Sequence, residues 1–514
     1  MSEKKIFIVN LVSSISVFCV TTAVSFFLSP YIVHTLGVEA NGFVSLASNF
    51  SSYISLVTVA LNSMSGRFIT IASVNGETDK ATSYYTSVFW ANIVLFAAML
   101  IPVIAVIIKL DSLIDIPAKL VFDVKILFCF VFANLMLANL LSLWNNTFYV
   151  LNTLYKEYAM DMVAEFARAG LIVLFFSLLT PRVWYMTLAG LVVVPVKVVW
   201  SLWNKAKYLP GLRIDNTKFS FAKLKEIISS GIWRTLQSTG EMLMTGLDLV
   251  ICNIFIDATA MGVMALSKTV LLITQKLNYR ITQSFAPKLT INYAQDRKDI
   301  IEQDLRRSFK IVSIIGALPL GGLLVFGKDF FQLWVPSQDA SVLQTLSMLA
   351  CFTRLFDVGL QPIGNVFAAT NKVKPLAISV IISGVVNTAV VFLAVKYTSY
   401  GIYAVAGASV VIGILRNMCY TIPAAARYLG FPWHRFFIGV WYSVVTSGIT
   451  ILAGLGVKCL IAADSWLHFL VACALTAMIA FVAGSFAILS KQERGMILKM
   501  AQIAIRKVKM IWKA

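Results

Sequence analysis

The chain has 514 residues, 59% hydrophobic and 13% charged, with a net charge of +19 and a mean hydropathy of +0.82. Soluble domains run at about 45–50% apolar and about 25% charged, so the composition excludes an ordinary water-soluble domain. Apolar stretches of about 20 residues recur along the whole length, which points to an all-α polytopic membrane protein. Short alternating strands, the mark of an outer-membrane barrel, are absent from the pattern.

Fourteen spans are expected, near residues 6–33, 40–65, 84–108, 120–150, 158–180, 183–204, 224–256, 260–287, 306–327, 341–369, 374–396, 401–424, 434–457 and 466–490. The first is too long for a signal-peptide core and lacks a small-residue cleavage site, so it reads as a retained helix. With the N-terminus inside, the cytoplasmic segments and helix ends hold 28 Lys and Arg and the outer ones seven. This fourfold bias fixes the orientation, with both termini cytoplasmic, by the positive-inside rule. The basic excess therefore reports topology and not nucleic-acid binding. The seven cysteines (19, 129, 252, 351, 419, 459 and 473) are scattered through or beside apolar spans. Their spacing suits neither a disulfide framework nor zinc.

The organisation is duplicated. Asn41–Ser48 reads NGFVSLAS and Met261–Lys268 reads MGVMALSK, an offset of 220. At the same offset Leu61–Thr70 lies over Ile281–Thr290, and Gly42 matches Gly262. Both matches enter an even-numbered span in the same direction, so the repeat is parallel, about an axis along the membrane normal. The expected parts are a six-helix bundle at 1–205, a cytoplasmic linker at 206–223, a second six-helix bundle at 224–425, two additional spans at 426–490 and a basic amphipathic tail at 491–514. The tail mixes Ile497, Leu498, Ile505 and Trp512 with Lys499, Arg506, Lys507, Lys509 and Lys513, a pattern suited to the anionic inner leaflet.

A charge at mid-bilayer costs from about 2.5 to more than 10 kcal/mol, so each ionisable residue in a span needs a compensating reason. Arg234, Glu241 and Asp248 recur every seven residues in span seven. That spacing places them on roughly one helical face, as expected of a cavity wall. Span eight carries Lys268, Lys276 and Arg280. Span ten carries Arg354, Asp357, Gln361 and Asn365, and the Arg354–Asp357 spacing also permits a local pair. In span five Asp161, Glu165 and Arg168 share a face near the inner end, where a structural or gating role is expected. Lys197 and Arg416 are single charges expected to reach inner headgroups or an interhelical gap.

The second half thus sets five deep cations (Arg234, Lys268, Lys276, Arg280, Arg354) against three acids (Glu241, Asp248, Asp357). A low-dielectric cavity with surplus positive charge concentrates anions, and Arg and Lys are the side chains for phosphate. Neutral groups in the first half (Asn49, Tyr53, Asn134, Asn139, Asn145) suit sugars but also hold membrane helices together. Catalytic and nucleotide-binding motifs are absent, so the chain reads as a carrier and not an enzyme. No cofactor is expected, and energy would come from an H+ or Na+ gradient, membrane potential or substrate flux. Pro30, Pro102, Pro195, Pro319 and Pro362 offer bends.

Two segments, TLGVEANGFVSLASNFSSY at Thr35–Tyr53 and DLVICNIFIDATAMGVMALSKTV at Asp248–Val270, lie on two six-helix halves. In this the chain resembles the multidrug/oligosaccharidyl-lipid/polysaccharide (MOP) flippase superfamily over about residues 5–425. Within it the chain is most similar to the bacterial polysaccharide-biosynthesis branch, the O-antigen and capsule repeat-unit flippases. The resemblance implies a MATE-like V-shaped pair of bundles in the bacterial cytoplasmic membrane, alternating between inward-open and outward-open. It implies a polyprenyl-diphosphate-linked oligosaccharide as substrate, for O-antigen, capsule or exopolysaccharide assembly. Arg234, Lys268, Lys276, Arg280 and Arg354 would hold the diphosphate. Glu241, Asp248 and Asp357 would balance charge or couple an ion. Membrane lipids and polysaccharide polymerase or glycosyltransferase partners follow. The alternatives are an ion-coupled multidrug exporter, a flippase for a peptidoglycan or teichoic-acid precursor, and an assembly scaffold.

Overall fold

The structure, a computed structural model, describes residues 3–151, 153–283 and 295–495 together with 285, 286, 289, 292 and 293. Every regular element among them is helical. The α-helices of seven or more residues are, in chain order, α1 (Glu3–Leu36), α2 (Val38–Val74), α3 (Thr78–Ile108), α4 (Val121–Val150), α5 (Leu154–Leu178), α6 (Tyr185–Tyr208), α7 (Phe221–Thr245), α8 (Asp248–Phe255), α9 (Ala258–Ser267), α10 (Thr269–Gln283), α11 (Lys298–Trp334), α12 (Ala340–Asp357), α13 (Ile363–Ala369), α14 (Val373–Tyr397), α15 (Ile402–Arg416), α16 (Ile422–Tyr428), α17 (Ile438–Leu460) and α18 (Trp466–Ile488).

Eleven helical segments among the described residues are long and apolar enough to cross a membrane. The three expected spans outside that set, 158–180, 224–256 and 341–369, fall on α5, on α7 with α8, and on α12 with α13. These are the segments that carry Asp161, Glu165, Arg168, Arg234, Glu241, Arg354 and Asp357. α5 and α7 have 25 residues each, about 37 Å of helix, so length is not what sets them apart. Their polarity is, and a helix of that kind needs protein or water beside it in a bilayer.

The chain forms two compact units, Met1–Leu266 with Ala377–Val405, and Ser267–Leu376 with Ala406–Ala514. The division does not follow the expected halves at 1–205 and 224–425, because α7, α8, most of α9 and most of α14 pack with the first six helices. In the first unit α2 is the spine and packs along α7, α4 and α3. Apolar burial drives little helix association inside lipid, so close approach through small residues matters most. At Gly231 on α7 a Cβ would lie 1.9 Å from the Ala60 carbonyl oxygen of α2. Gly42 and Gly262, matched at an offset of 220, meet each other: a Cβ on Gly42 would lie 2.9 Å from the Gly262 Cα. Beside them Thr259 donates a hydrogen bond to Glu39, again 220 positions away, at 3.2 Å.

In the second unit α11 is the spine. The additional helices α17 and α18 pack on it and on each other, and Lys458 of α17 binds Asp329 and the Val325 carbonyl of α11. Ser490 and Glu493 form a reciprocal capping box just beyond α18: the Ser490 N–H donates to Glu493 Oε2 at 2.8 Å and the Glu493 N–H to Ser490 Oγ at 3.3 Å. Glu493 also pairs with Lys310 of α11 at 2.8 Å. Most of the expected tail, 496–514, lies outside the described residues.

Two outcomes follow. Gly231→Val is expected to cost at least about 1–3 kcal/mol through overpacking against backbone, read as a lower unfolding temperature in detergent. Burial alone would raise the Glu493 carboxyl, but the Lys310 ammonium and the Ser490 N–H and hydroxyl hold it below its usual 4.5. A depressed carboxyl stabilises the fold above its unfolded value and loses that contribution as pH falls. Glu493→Gln should therefore be less stable than the native chain at neutral pH, with the gap closing below pH 4.5 in paired thermal melts.

Candidate functional site

α7 begins where Ser220 caps it, its side chain accepting from the Lys223 N–H. Midway along, Arg234 Nη1 donates to Gln237 Oε1 at 3.3 Å, and Gln237 Nε2 donates to Glu241 Oε1 at 2.8 Å. Arg234 and Glu241 are exposed, and Arg234 sits about 20 Å along the helix from Phe221. Polar groups exposed at that depth require water or a polar partner. Gln237 was missed from the sequence, although it lies three residues after Arg234 and four before Glu241, the spacings at which helical side chains meet.

Asp248 does not share that exposed face. α7 ends at Thr245, a short break follows, and Asp248 opens α8 with its side chain buried. Seven-residue periodicity holds only along an unbroken helix, so it fails across the interruption. The freed Gly246 carbonyl accepts from two α2 side chains, the Tyr53 hydroxyl and Asn49 Nδ2.

In the second unit Lys268 stands at the break between α9 and α10 and is half-buried, while Lys276 and Arg280 are exposed on α10. The opposite face of α10 buries Thr274, Asn278 and Thr282. Lys276 makes no ion pair with any described residue. Arg354 Nη1 lies 3.4 Å from both Asp357 oxygens, and buried Asp357 also accepts from Asn417 Nδ2 at 2.7 Å. Asn417 Oδ1 in turn accepts from Arg416 at 3.3 Å and Thr421 at 3.4 Å. Asn417–Thr421 is a π-helical turn between α15 and α16, the kind of widened turn that recurs at functional sites. Sequence reasoning named Arg416 as a lone charge and passed over Asn417. No short-range spacing links either to Asp357, about 60 positions earlier.

On α5 Arg168 pairs with Glu165, but Asp161 pairs across to Lys197 of α6 at 2.6 Å. Lys197 therefore lies in an interhelical gap, one of its two expected settings. Next to them Asn145 of α4 joins Glu157 of α5 and Ser201 of α6, at 2.7 and 2.6 Å.

The five expected cations are thus divided, Arg234 in the first unit and Lys268, Lys276, Arg280 and Arg354 in the second. Arg234 is linked to Glu241, and Arg354 is neutralised by Asp357. Lys276 and Arg280 remain exposed on α10. Asn417→Leu leaves the buried Asp357 carboxylate without its shortest donor. It should cost about 1–3 kcal/mol, measured by thermal unfolding of the purified protein.

No family model matches the chain. Over 497 residues it is 25% identical to the uncharacterized membrane protein EpsK of Bacillus subtilis (strain 168), covering 96% of this chain and 97% of that one. Among solved structures it is similar to the lipid II flippase MurJ in an inward closed conformation, with TM-score 0.67 and 12% identity over 93% of this chain and 98% of that one. It is also similar to an inward-facing multidrug resistance MATE family transporter of the MOP superfamily, with TM-score 0.60 and 16% identity over 81% and 94%. A third is a MOP superfamily transporter from Pyrococcus furiosus Vc1 (DSM3638), described as having a binding pocket of reverse polarity, with TM-score 0.57 and 15% identity over 86% and 96%. The chain is a multi-pass helical membrane protein that carries the fold of the MOP-superfamily transporters, as its sequence resemblance implied.

Proposed function

We propose that this protein is a flippase that moves a polyprenyl-diphosphate-linked oligosaccharide from the cytoplasmic to the outer leaflet of a bacterial cytoplasmic membrane, for cell-surface polysaccharide assembly. The observation that carries the reading is the exposed Arg234–Gln237–Glu241 chain at the middle of α7. A hydrogen-bonded polar stripe exposed halfway along a membrane-length helix needs a wet passage. The amide between the charges suits a sugar hydroxyl, which can both donate and accept.

The excess of cations selects the anion. Lys276 and Arg280 are exposed on one helix, four residues apart, a spacing at which both can reach one diphosphate. An exporter of cationic drugs would favour the opposite charge. The fold serves more than one cargo, since a lipid II flippase and a multidrug transporter share it, so function rests on the site and not on the architecture. The prenyl tail stays in hydrocarbon while the protein shields the head group. Asp357 balances Arg354, and Glu241 and Asp248 are the acids available to couple an ion. Polymerase and glycosyltransferase partners would stand on either side of the step.

The test uses a strain lacking the protein, complemented by the intact chain, by Lys276→Ala or by Arg234→Ala. Polyprenyl-linked lipids are identified by mass spectrometry and their leaflet by an impermeant sugar-modifying reagent. Loss of one charge-assisted contact, worth about 1.5–3 kcal/mol, should weaken head-group binding about 10–100-fold. The expected result is a prenyl-diphosphate oligosaccharide held in the inner leaflet in the deletion strain and accumulating in both variants. An unchanged lipid profile and leaflet distribution in the deletion strain would overturn the proposal.

A further inference from the structure

The segment between α6 and α7 was expected to be a linker, yet it is fastened along its length to α3. The Asp215 N–H donates to Thr86 Oγ1 at 3.0 Å, and Trp90 Nε1 donates to Asn216 Oδ1 at 2.9 Å. Ser87 and Ser220 exchange hydrogen bonds, Ser87 Oγ to the Ser220 carbonyl at 3.2 Å and the Ser220 N–H to Ser87 Oγ at 2.9 Å. Lys218 pairs with Asp79. Thr86, Ser87 and Trp90 recur on α3 at the spacing of one helical face. Leu212 is buried in an apolar cluster with Leu61, Ile69, Tyr84, Leu143 and Ile227.

With its inner side so engaged, the strap turns large apolar side chains outward. Phe221 is 70% exposed, Phe219 45%, Tyr208 42% and Ile214 38%. Residues 205–225 carry six Lys and Arg (Lys205, Lys207, Arg213, Lys218, Lys223, Lys225) against the single acid Asp215. Lys207 lies over the Trp203 and Tyr208 rings at 4.9 and 5.5 Å, and Lys156 lies over Tyr208 at 3.9 Å.

We propose that the 208–225 strap is an interfacial anchor that binds the anionic phospholipid surface through Phe219, Phe221 and Tyr208 with Lys207, Arg213 and Lys225. The chemistry is that of a membrane interface, where aromatic rings sit at headgroup level and basic side chains meet acidic lipid. The strap begins where α6, an apolar membrane-length helix, ends. Rings and cations therefore emerge at the level where hydrocarbon gives way to headgroups. The surplus of positive charge favours lipid phosphate over a protein partner with mixed charge. The proposal does not depend on the transport reading, because it concerns the membrane and not the cargo.

Hydrogen–deuterium exchange on the full protein tests it, in nanodiscs of pure phosphatidylcholine and of an equimolar mixture with phosphatidylglycerol. Amides of 208–225 should exchange about tenfold more slowly in the mixture, and raised salt should reduce the difference. Phe219→Ser/Phe221→Ser and Lys207→Gln/Lys225→Gln should each abolish it while leaving unfolding temperature and α3 exchange unchanged, since these side chains are outside the buried cluster. Equal exchange in the two lipids would overturn the proposal and leave the strap as a purely structural fastening. Protection that appears only with a soluble partner protein would overturn it as well.

Discussion

The structure depends on one constraint: in hydrocarbon a polar group must find its partner within the protein or in water the protein admits. Each unsatisfied backbone group costs several kcal/mol there. That cost explains why the breaks are answered on the spot. The carbonyl released where α7 stops is taken by Tyr53 and Asn49 of α2. The Asp357 carboxylate, where α12 stops, is taken by Arg354 and Asn417. Asp161, near the start of α5, is met by Lys197 from α6. Arg234 and Glu241, exposed on α7, are instead joined through Gln237 on the same helix.

Much of the fold was legible because it rests on local composition. Eleven of fourteen expected spans register by length and apolarity alone, and the remaining three carry all the acids named within the spans. The two glycines aligned between NGFVSLAS and MGVMALSK, Gly42 and Gly262, meet in the structure. Pairings over long separations were not legible. Lys197 could have met any of several acids, and Asn417 has no sequence feature that points to Asp357. Helix interruptions were also hidden. The Arg234–Glu241–Asp248 register looked continuous because Met242–Leu247 contains no proline to mark the stop. The segment at 206–223 looked like a linker because it is basic and falls between two sets of six spans, while Thr86, Ser87 and Trp90, which hold it, belong to α3.

Chemistry in this molecule follows from where charge is left over and not from where it is most abundant. Arg354 is deep, but Asp357 and Asn417 occupy that neighbourhood, so its charge is largely spent inside the second unit. Arg168 and Lys197 are similarly answered on α5 and α6. Lys276 and the Arg234–Glu241 chain differ because their surroundings are open. A count of cations in the sequence therefore overstates the open charge: Arg354 is paired with Asp357, while Arg234, Lys276 and Arg280 are exposed.

The meeting of Gly42 with Gly262 has an evolutionary side. If the two matched segments descend from one duplicated unit, two unfused half-length chains would make this contact with themselves. A larger side chain at that site in such a half-chain would have been met by its own copy, doubling the clash. After fusion the two positions can vary separately, yet each still leaves room for the other. Backbone holds both positions small: a Cβ on Gly42 would lie 2.9 Å from the Gly262 Cα, and a Cβ on Gly262 would lie 2.4 Å from the Val38 carbonyl oxygen.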